Sequence, residues 1–215
     1  MKTNMKSKTR ICAMAVALFV AFTGMTSCES DDDQTPPEQT NLEKAQGILD
    51  GEIVLSTRAT MNGVDKTLVP AGCPAKFSFV WNGDGTMTLE QHDFSVGNMP
   101  LSISFSCNVR FLELNNWEQE EYPGSGWIKF KGTNGTVNYA PKVPTKADAA
   151  SGAGVDGFLN VETRQVEFVI DYNMMNVRSE AFLQEIDKTR IDRFEEEFAQ
   201  YEEAYEKLKE EQGKN

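Results

Sequence analysis

The chain has 215 residues, 40% apolar and 25% charged, with 21 Lys+Arg against 33 Asp+Glu and a formal net charge of −12. That length suits one ordinary domain with appendages, and the acidic balance argues against nucleic-acid binding through clustered Lys and Arg. His92 is the single histidine. Zinc sites built on several imidazoles are therefore excluded, and a His-based triad has one possible base.

Lys2, Lys6, Lys8 and Arg10 open the chain, followed by the apolar run 11–25, ICAMAVALFVAFTGM. A membrane-spanning helix needs roughly 20 apolar residues, so this shorter run fits the apolar region of a secretory signal. It leads into Met25-Thr26-Ser27-Cys28. The segment resembles a bacterial lipoprotein signal, with Met25 where the usual box has Leu. The acidic Glu29-Ser30-Asp31-Asp32-Asp33 resembles the tag that sends Bacteroidetes-type lipoproteins to the outer face of the outer membrane. These resemblances imply a signal over 1–27, cleavage before Cys28, lipid on Cys28 and a membrane anchor facing the cell exterior. Removing four basic residues from the 21 and none of the 33 acids takes the formal balance from −12 to −16.

Residues 28–44 begin with an acidic stretch, ESDDDQTPPEQT over 29–40, that has almost no apolar groups to bury and reads as a disordered tether. Residues 45–176 read as a β-domain. Weak strands fall at 52–58 and 66–69, and Cys73 sits in a Pro-flanked turn. Phe77, Phe79 and Trp81 alternate, Asn82-Gly83-Asp84-Gly85 turns the chain, and Met87 and Leu89 alternate again. Asn-Gly and Asp-Gly supply the positive φ angles that a tight hairpin needs.

The clearest strand is 101–111, LSISFSCNVRF. Its apolar residues, including Cys107, all take odd positions, so one face is buried and one solvated. Further strands are expected at 127–131 and 135–139, then a mobile loop over 141–154, then a hairpin joining 157–161 to 166–172. About eight strands in sequential hairpins predict an antiparallel sheet, either closed as a barrel or folded as a sandwich. An exported compartment permits a Cys73–Cys107 disulfide. Two buried thiols are the alternative.

The region 177–215 changes character. From Ser179 there is no Gly or Pro until Gly213, and Ile191, Phe194, Phe198, Tyr201, Tyr205 and Leu208 are spaced 3, 4, 3, 4, 3. The spacing predicts one long amphipathic helix over 179–211. Its apolar stripe covers the sheet, pairs with another chain, or projects into solvent with its aromatics left wet.

Gly83-Asp84-Gly85-Thr86-Met87-Thr88-Leu89, His92-Asp93-Phe94-Ser95-Val96-Gly97, Met99-Pro100-Leu101 and Ile128-Lys129-Phe130-Lys131-Gly132-Thr133 resemble the calycin-like β-barrel domains of Bacteroidetes-type lipoproteins. Asp93 replaces a usual Asn, no Gly-x-Trp marks the first strand, and the terminal helix is an addition. The resemblance implies an eight-stranded barrel with an apolar interior, and no established activity.

Catalytic chemistry finds little footing. Gly124-Ser125-Gly126 lacks the spacing of a nucleophile elbow and reads as a flexible turn. His92 reads as a surface residue, no carboxylate pair stands out, and Asn82-Gly83-Asp84-Gly85 has the wrong spacing for a calcium loop. Nothing calls for a metal or a cofactor. The suggestive segment is 115–127, NNWEQEEYPGSGW, where Trp117, Tyr122 and Trp127 are interleaved with amides and acids. Such a loop suits a sugar ring, whose C–H face stacks on an aromatic plane; the alternative is that the tryptophans plug a barrel end. The sequence therefore points to a non-catalytic surface module for a glycan or protein partner. A carrier of an apolar small molecule, lined by Phe77, Phe79, Phe105 and Phe168, and an assembly subunit using the helix are the other readings.

Overall fold

The computed structural model describes residues 39–141 and 148–213. The signal over 1–27, Cys28 and the tether up to residue 38 lie outside the described residues. Along the chain come α1 (Asn41–Leu49), β1 (Gly51–Met61), β2 (Val64–Asp65), β3 (Cys73–Trp81), β4 (Thr86–Phe94), β5 (Leu101–Leu112) and α2 (Asn116–Glu121). Then follow β6 (Trp127–Pro141), β7 (Asp148–Asn160), β8 (Gln165–Asp171), β9 (Val177–Glu185), a 3-10 segment (Lys188–Arg193) and α3 (Phe194–Gln212).

The sheet runs β2-β1-β3-β4-β5-β6-β7-β8-β9, and β1 also pairs with β9. Eight antiparallel strands thus close into a barrel, and β2 is a short flap on β1. Closure answers the choice between barrel and sandwich, and it removes the free sheet edges that an open sheet would expose. The β1–β9 ladder runs from Thr57↔Ala181 to Met61↔Val177. Beyond it the Gln184 side chain substitutes for the ladder, accepting from the Ser56 N–H at 2.9 Å and donating to the Ser56 carbonyl at 3.0 Å.

β9 corrects the expectation of a helix from Ser179. Val177, Ser179 and Ala181 face inward and Arg178 and Glu180 outward, so the period is two. Two of the three inward residues are small, which hid the alternation. The helix begins only after Asp187, whose carboxylate accepts from the Thr189 N–H at 2.9 Å and starts the 3-10 turn.

α1 lies partly inside the stretch expected to be tether. Thr40 and Glu43 form a reciprocal capping box, and Ala45 and Leu49 are fully buried. Residues 66–69 are a turn, not a strand: the Asp65 carboxylate accepts from the Thr67 N–H at 2.7 Å, and Leu68 has φ of +58°. The two strands expected at 127–131 and 135–139 are one bulged strand, β6, and residues 148–154 of the expected loop are the start of β7.

Aromatic side chains fill the barrel. Phe168 meets Phe77, Phe130 and Phe79 at ring-centroid distances of 4.9, 5.8 and 6.4 Å. In the row Phe130↔Gly157↔Phe168, any Cβ at Gly157 would overlap the Phe130 ring. The glycine is what lets two rings share one layer. A small polar island sits in the same interior: the buried Tyr172 hydroxyl donates to Gln91 Oε1 at 2.5 Å and bonds Ser179 Oγ at 2.8 Å. Burial holds its pKa above the ordinary tyrosine range.

Cys73 and Cys107 are separate free thiols, both buried, which is the second of the two alternatives. Cys107 is level with Leu89 and, through it, with Phe79. Cys73 lies six residues farther along β3, roughly 20 Å away at about 3.3 Å per residue. A disulfide requires Cα atoms within about 7 Å.

Candidate binding clefts at the two ends of the barrel

The segment 115–127 is pinned in place, not flexible. Asn115 Oδ1 accepts from the Trp117 and Glu118 N–H groups at 3.0 and 3.1 Å, and Glu118 Oε2 accepts from the Asn115 N–H at 2.9 Å. This capping box builds α2. Glu118 also pairs with Lys129 on β6, and Lys129 reaches Asp156 on β7 at 3.2 Å. The Lys129 hydrogen bond, helped by the Asn115 N–H, holds the Glu118 carboxyl below its ordinary range. Partial burial opposes the Lys129 charge, but its two carboxylate partners outweigh it and raise its pKa. The turn after α2 is held from β7: Asn160 Nδ2 donates to the Ser125 carbonyl at 3.0 Å, and Ser125 Oγ donates to Glu162 at 2.8 Å.

The structure brings two of the three segment aromatics together. Tyr122 and Trp127 have ring centroids 4.9 Å apart, and Tyr122 stacks on Phe158 at 4.1 Å. The Tyr122 hydroxyl donates to Glu167; burial, then this carboxylate, pushes its pKa up. Trp117 stands apart on α2, 80% exposed, and does not line the cleft that the other two share.

That cleft, of about 510 Å³, lies between the start of α1, the end of β5, α2 and the start of β6. Phe111, Tyr122 and Trp127 give it three partly exposed rings, and Asn41, Glu113 and Gln119 stand among its polar groups. Gln119 is committed through Nε2 to the Leu114 carbonyl at 2.9 Å. The Asn41 and Glu113 side chains carry no hydrogen bond or ion pair to the described residues. Phe111, Asn41 and Glu113 were missed by the sequence reading: Phe111 and Glu113 stand at and just after the end of β5, beside the segment, and only Asn41, on α1, comes from far away in the chain.

At the opposite end of the barrel the β3–β4 ladder stops at Ser78↔Glu90. Residues Cys73–Phe77 of β3 and Gln91–Phe94 of β4 therefore run on without pairing each other. α3 covers this split from outside. Arg190 anchors its start, donating to Glu197 at 2.7 Å, to Gln184 at 3.0 Å and to Ser56 at 3.3 Å. Lys76 on β3 lies 4.0 Å over the Phe194 ring. Tyr201 donates to the Thr67 carbonyl at 3.2 Å, and Tyr201 and Tyr205 are buried against the chain's own barrel. The stripe expected from Ile191 to Leu208 thus covers the sheet. Ile191 itself falls in the 3-10 segment, and Phe198 and Leu208 are half-buried.

His92 is on the surface, its side chain 68% exposed and 3.5 Å from Glu90. Among the described residues no group of three or more His, Cys, Asp or Glu side chains is placed to hold a metal ion, and no helix is long and apolar enough to cross a membrane. Phe77, Phe79, Phe105 and Phe168, expected to line a carrier cavity, are each at most 2% exposed. These four side chains are closed to solvent.

A family model described as a domain of unknown function, DUF4903, matches residues 27–213. The chain belongs to that family. Comparison with curated proteins and with solved structures gave no match. In this DUF4903 chain the matched region takes in the whole barrel, α1 and all of α3, so both clefts belong to the family domain.

Proposed function

We propose that the protein is a lipid-anchored, non-catalytic module of the cell envelope that binds a neutral glycan in the cleft between α1 and α2. The carrying observation is the cleft itself. Three partly exposed rings, Phe111, Tyr122 and Trp127, stand beside two polar side chains, Asn41 and Glu113, that have no partner within the described residues. A sugar ring presents C–H faces for stacking and hydroxyls for an amide and a carboxylate. The acidic balance of −12 disfavours an anionic ligand. Loops held by a rigid barrel are where binding usually resides. The anchor rests on Met25-Thr26-Ser27-Cys28 and the acidic residues after it.

Titration of the full chain in detergent with a panel of neutral oligosaccharides tests the reading. Glu113→Ala removes a charged acceptor, about 1.5–3 kcal/mol or roughly 10- to 150-fold in affinity; Asn41→Ala costs roughly 3- to 10-fold. Trp117→Ala leaves affinity unchanged. Equal affinity in all three variants would remove the cleft from consideration. The anchor has its own check: Cys28→Ala moves the protein from the membrane to the soluble fraction.

A further inference from the structure

We propose that the cleft between α3 and the β4–β5 connection is a binding site for a primary alkylammonium group. It lies at the far end of the barrel from the α1–α2 cleft and does not depend on the glycan reading.

The cleft measures about 430 Å³ and is lined by Ser95, Phe198, Tyr201, Glu202, Tyr205 and Glu206 among others. Two of these residues carry buried polar atoms that lack a hydrogen-bonding partner, Ser95 Oγ and Tyr205 Oη. Tyr205 is only 4% exposed. Buried hydroxyls without partners are uncommon, and each calls for an explanation. A hydroxyl oxygen accepts readily from an N–H donor.

The rings supply the second observation. Phe194, Phe198, Tyr201 and Tyr205 form a ladder along α3 with successive centroids 5.7, 6.0 and 6.0 Å apart. The chain's own ammonium groups already sit at both ends of this ladder, Lys76 Nζ 4.0 Å over Phe194 and Lys209 Nζ 5.8 Å over Tyr205. The two middle rings, Phe198 and Tyr201, line the cleft. A cation over an aromatic face is attracted by the ring quadrupole.

Charge is the third. Glu202 and Glu206 lie one helical turn apart on the cleft side of α3. Glu206 is shared with Lys209 at 3.2 Å, whereas Glu202 has no ion-pair partner among the described residues. Gly97 lets these groups converge: its φ is +47°, and a Cβ there would overlap both the Lys66 carbonyl and the Tyr205 ring. Rings, an unpaired carboxylate and unpartnered hydroxyls together match an ammonium head on a short apolar stem. A free alkylamine and the lysine side chain of a partner present the same chemistry.

Calorimetric titration of the full chain in detergent uses n-butylammonium, its neutral analogue 1-butanol, and N-acetyl-lysine methylamide. Saturable binding of n-butylammonium, at least tenfold tighter than 1-butanol, is the result expected. A tighter lysine derivative identifies a partner side chain as the source, and a tighter n-butylammonium identifies a free amine. Glu202→Gln, at an exposed position, should weaken ammonium binding at least fivefold with an unchanged melting temperature. Tyr205→Phe, which keeps the ring, should weaken it severalfold. Equal binding of 1-butanol, no saturable heat with either amine up to 20 mM, or unchanged affinity in both variants would overturn the proposal.

Discussion

Replacing Phe168 with Ala tests whether the barrel interior is filled. Phe168 is 2% exposed and meets three other rings at 4.9, 5.8 and 6.4 Å. Its strand neighbours are held by ladders on both sides, so the void has little freedom to collapse. A core Phe→Ala change under such constraint costs about 3–5 kcal/mol, a large share of the ~5–15 kcal/mol that a domain holds in total. At about 2–4 °C per kcal/mol for a chain of this size, the melting temperature should fall by roughly 6–20 °C. Urea unfolding gives the free energy directly, with an unchanged slope showing that the change lies in stability and not in the denatured state. The new void is apolar, so benzene should bind it and restore part of the loss. A loss below about 1 kcal/mol would mean that space around Phe168 is already empty, as a carrier of an apolar molecule requires.

Two further outcomes follow from the α3 end. Gly97→Ala puts a side chain at φ of +47° and against Tyr205; the backbone cost of about 1–2 kcal/mol and the overpacking of about 1–3 kcal/mol should together lower stability by about 2–5 kcal/mol in urea unfolding. Unchanged stability would show that α3 does not seat as described. Burial, and after it the charge of Glu202, pushes the Cys73 thiol up to about 12. The folded state therefore holds this proton where an unfolded thiol releases it near pH 8.5. The contribution is complete below that pH and is lost as pH rises toward 12. Between pH 8 and 11 the wild-type urea midpoint should fall more steeply than that of Cys73→Ala, and parallel curves would contradict the buried thiol.

How much was legible depended on whether a signal was local and large. β5 was plain because six apolar residues alternate without a break over 101–111. The β3–β4 hairpin was plain because its turn is spelled in Asn and Gly. β9 was not, since small Ser179 and Ala181 occupy inward positions that large apolar residues usually advertise. α1 carried its signature, Thr40 and Glu43 in a capping box, but the acidic residues before it masked the start. The α3 stripe was visible from its 3-4 spacing, while the groups it covers, Thr67, Ser95 and Gly97, lie far upstream in turns, Thr67 by 134 residues from Tyr201. The α1–α2 cleft shows the same division. Tyr122 and Trp127 belong to one aromatic-rich segment and were found; Phe111 and Glu113, just before it, read as the end of a strand, and Asn41 reaches the cleft only through α1.

The most direct test of the glycan cleft uses the chain's three tryptophans as reporters. Trp127 lines the cleft, Trp117 stands exposed on α2, and Trp81 packs against Phe111 at 5.8 Å. Their indole N–H signals can be followed by NMR while a neutral oligosaccharide is added to the full chain in detergent. A saturable shift of the Trp127 signal, with the Trp117 signal unmoved, is the predicted result. Binding that leaves Trp127 unmoved, or no shift with any oligosaccharide of the panel, would contradict the account.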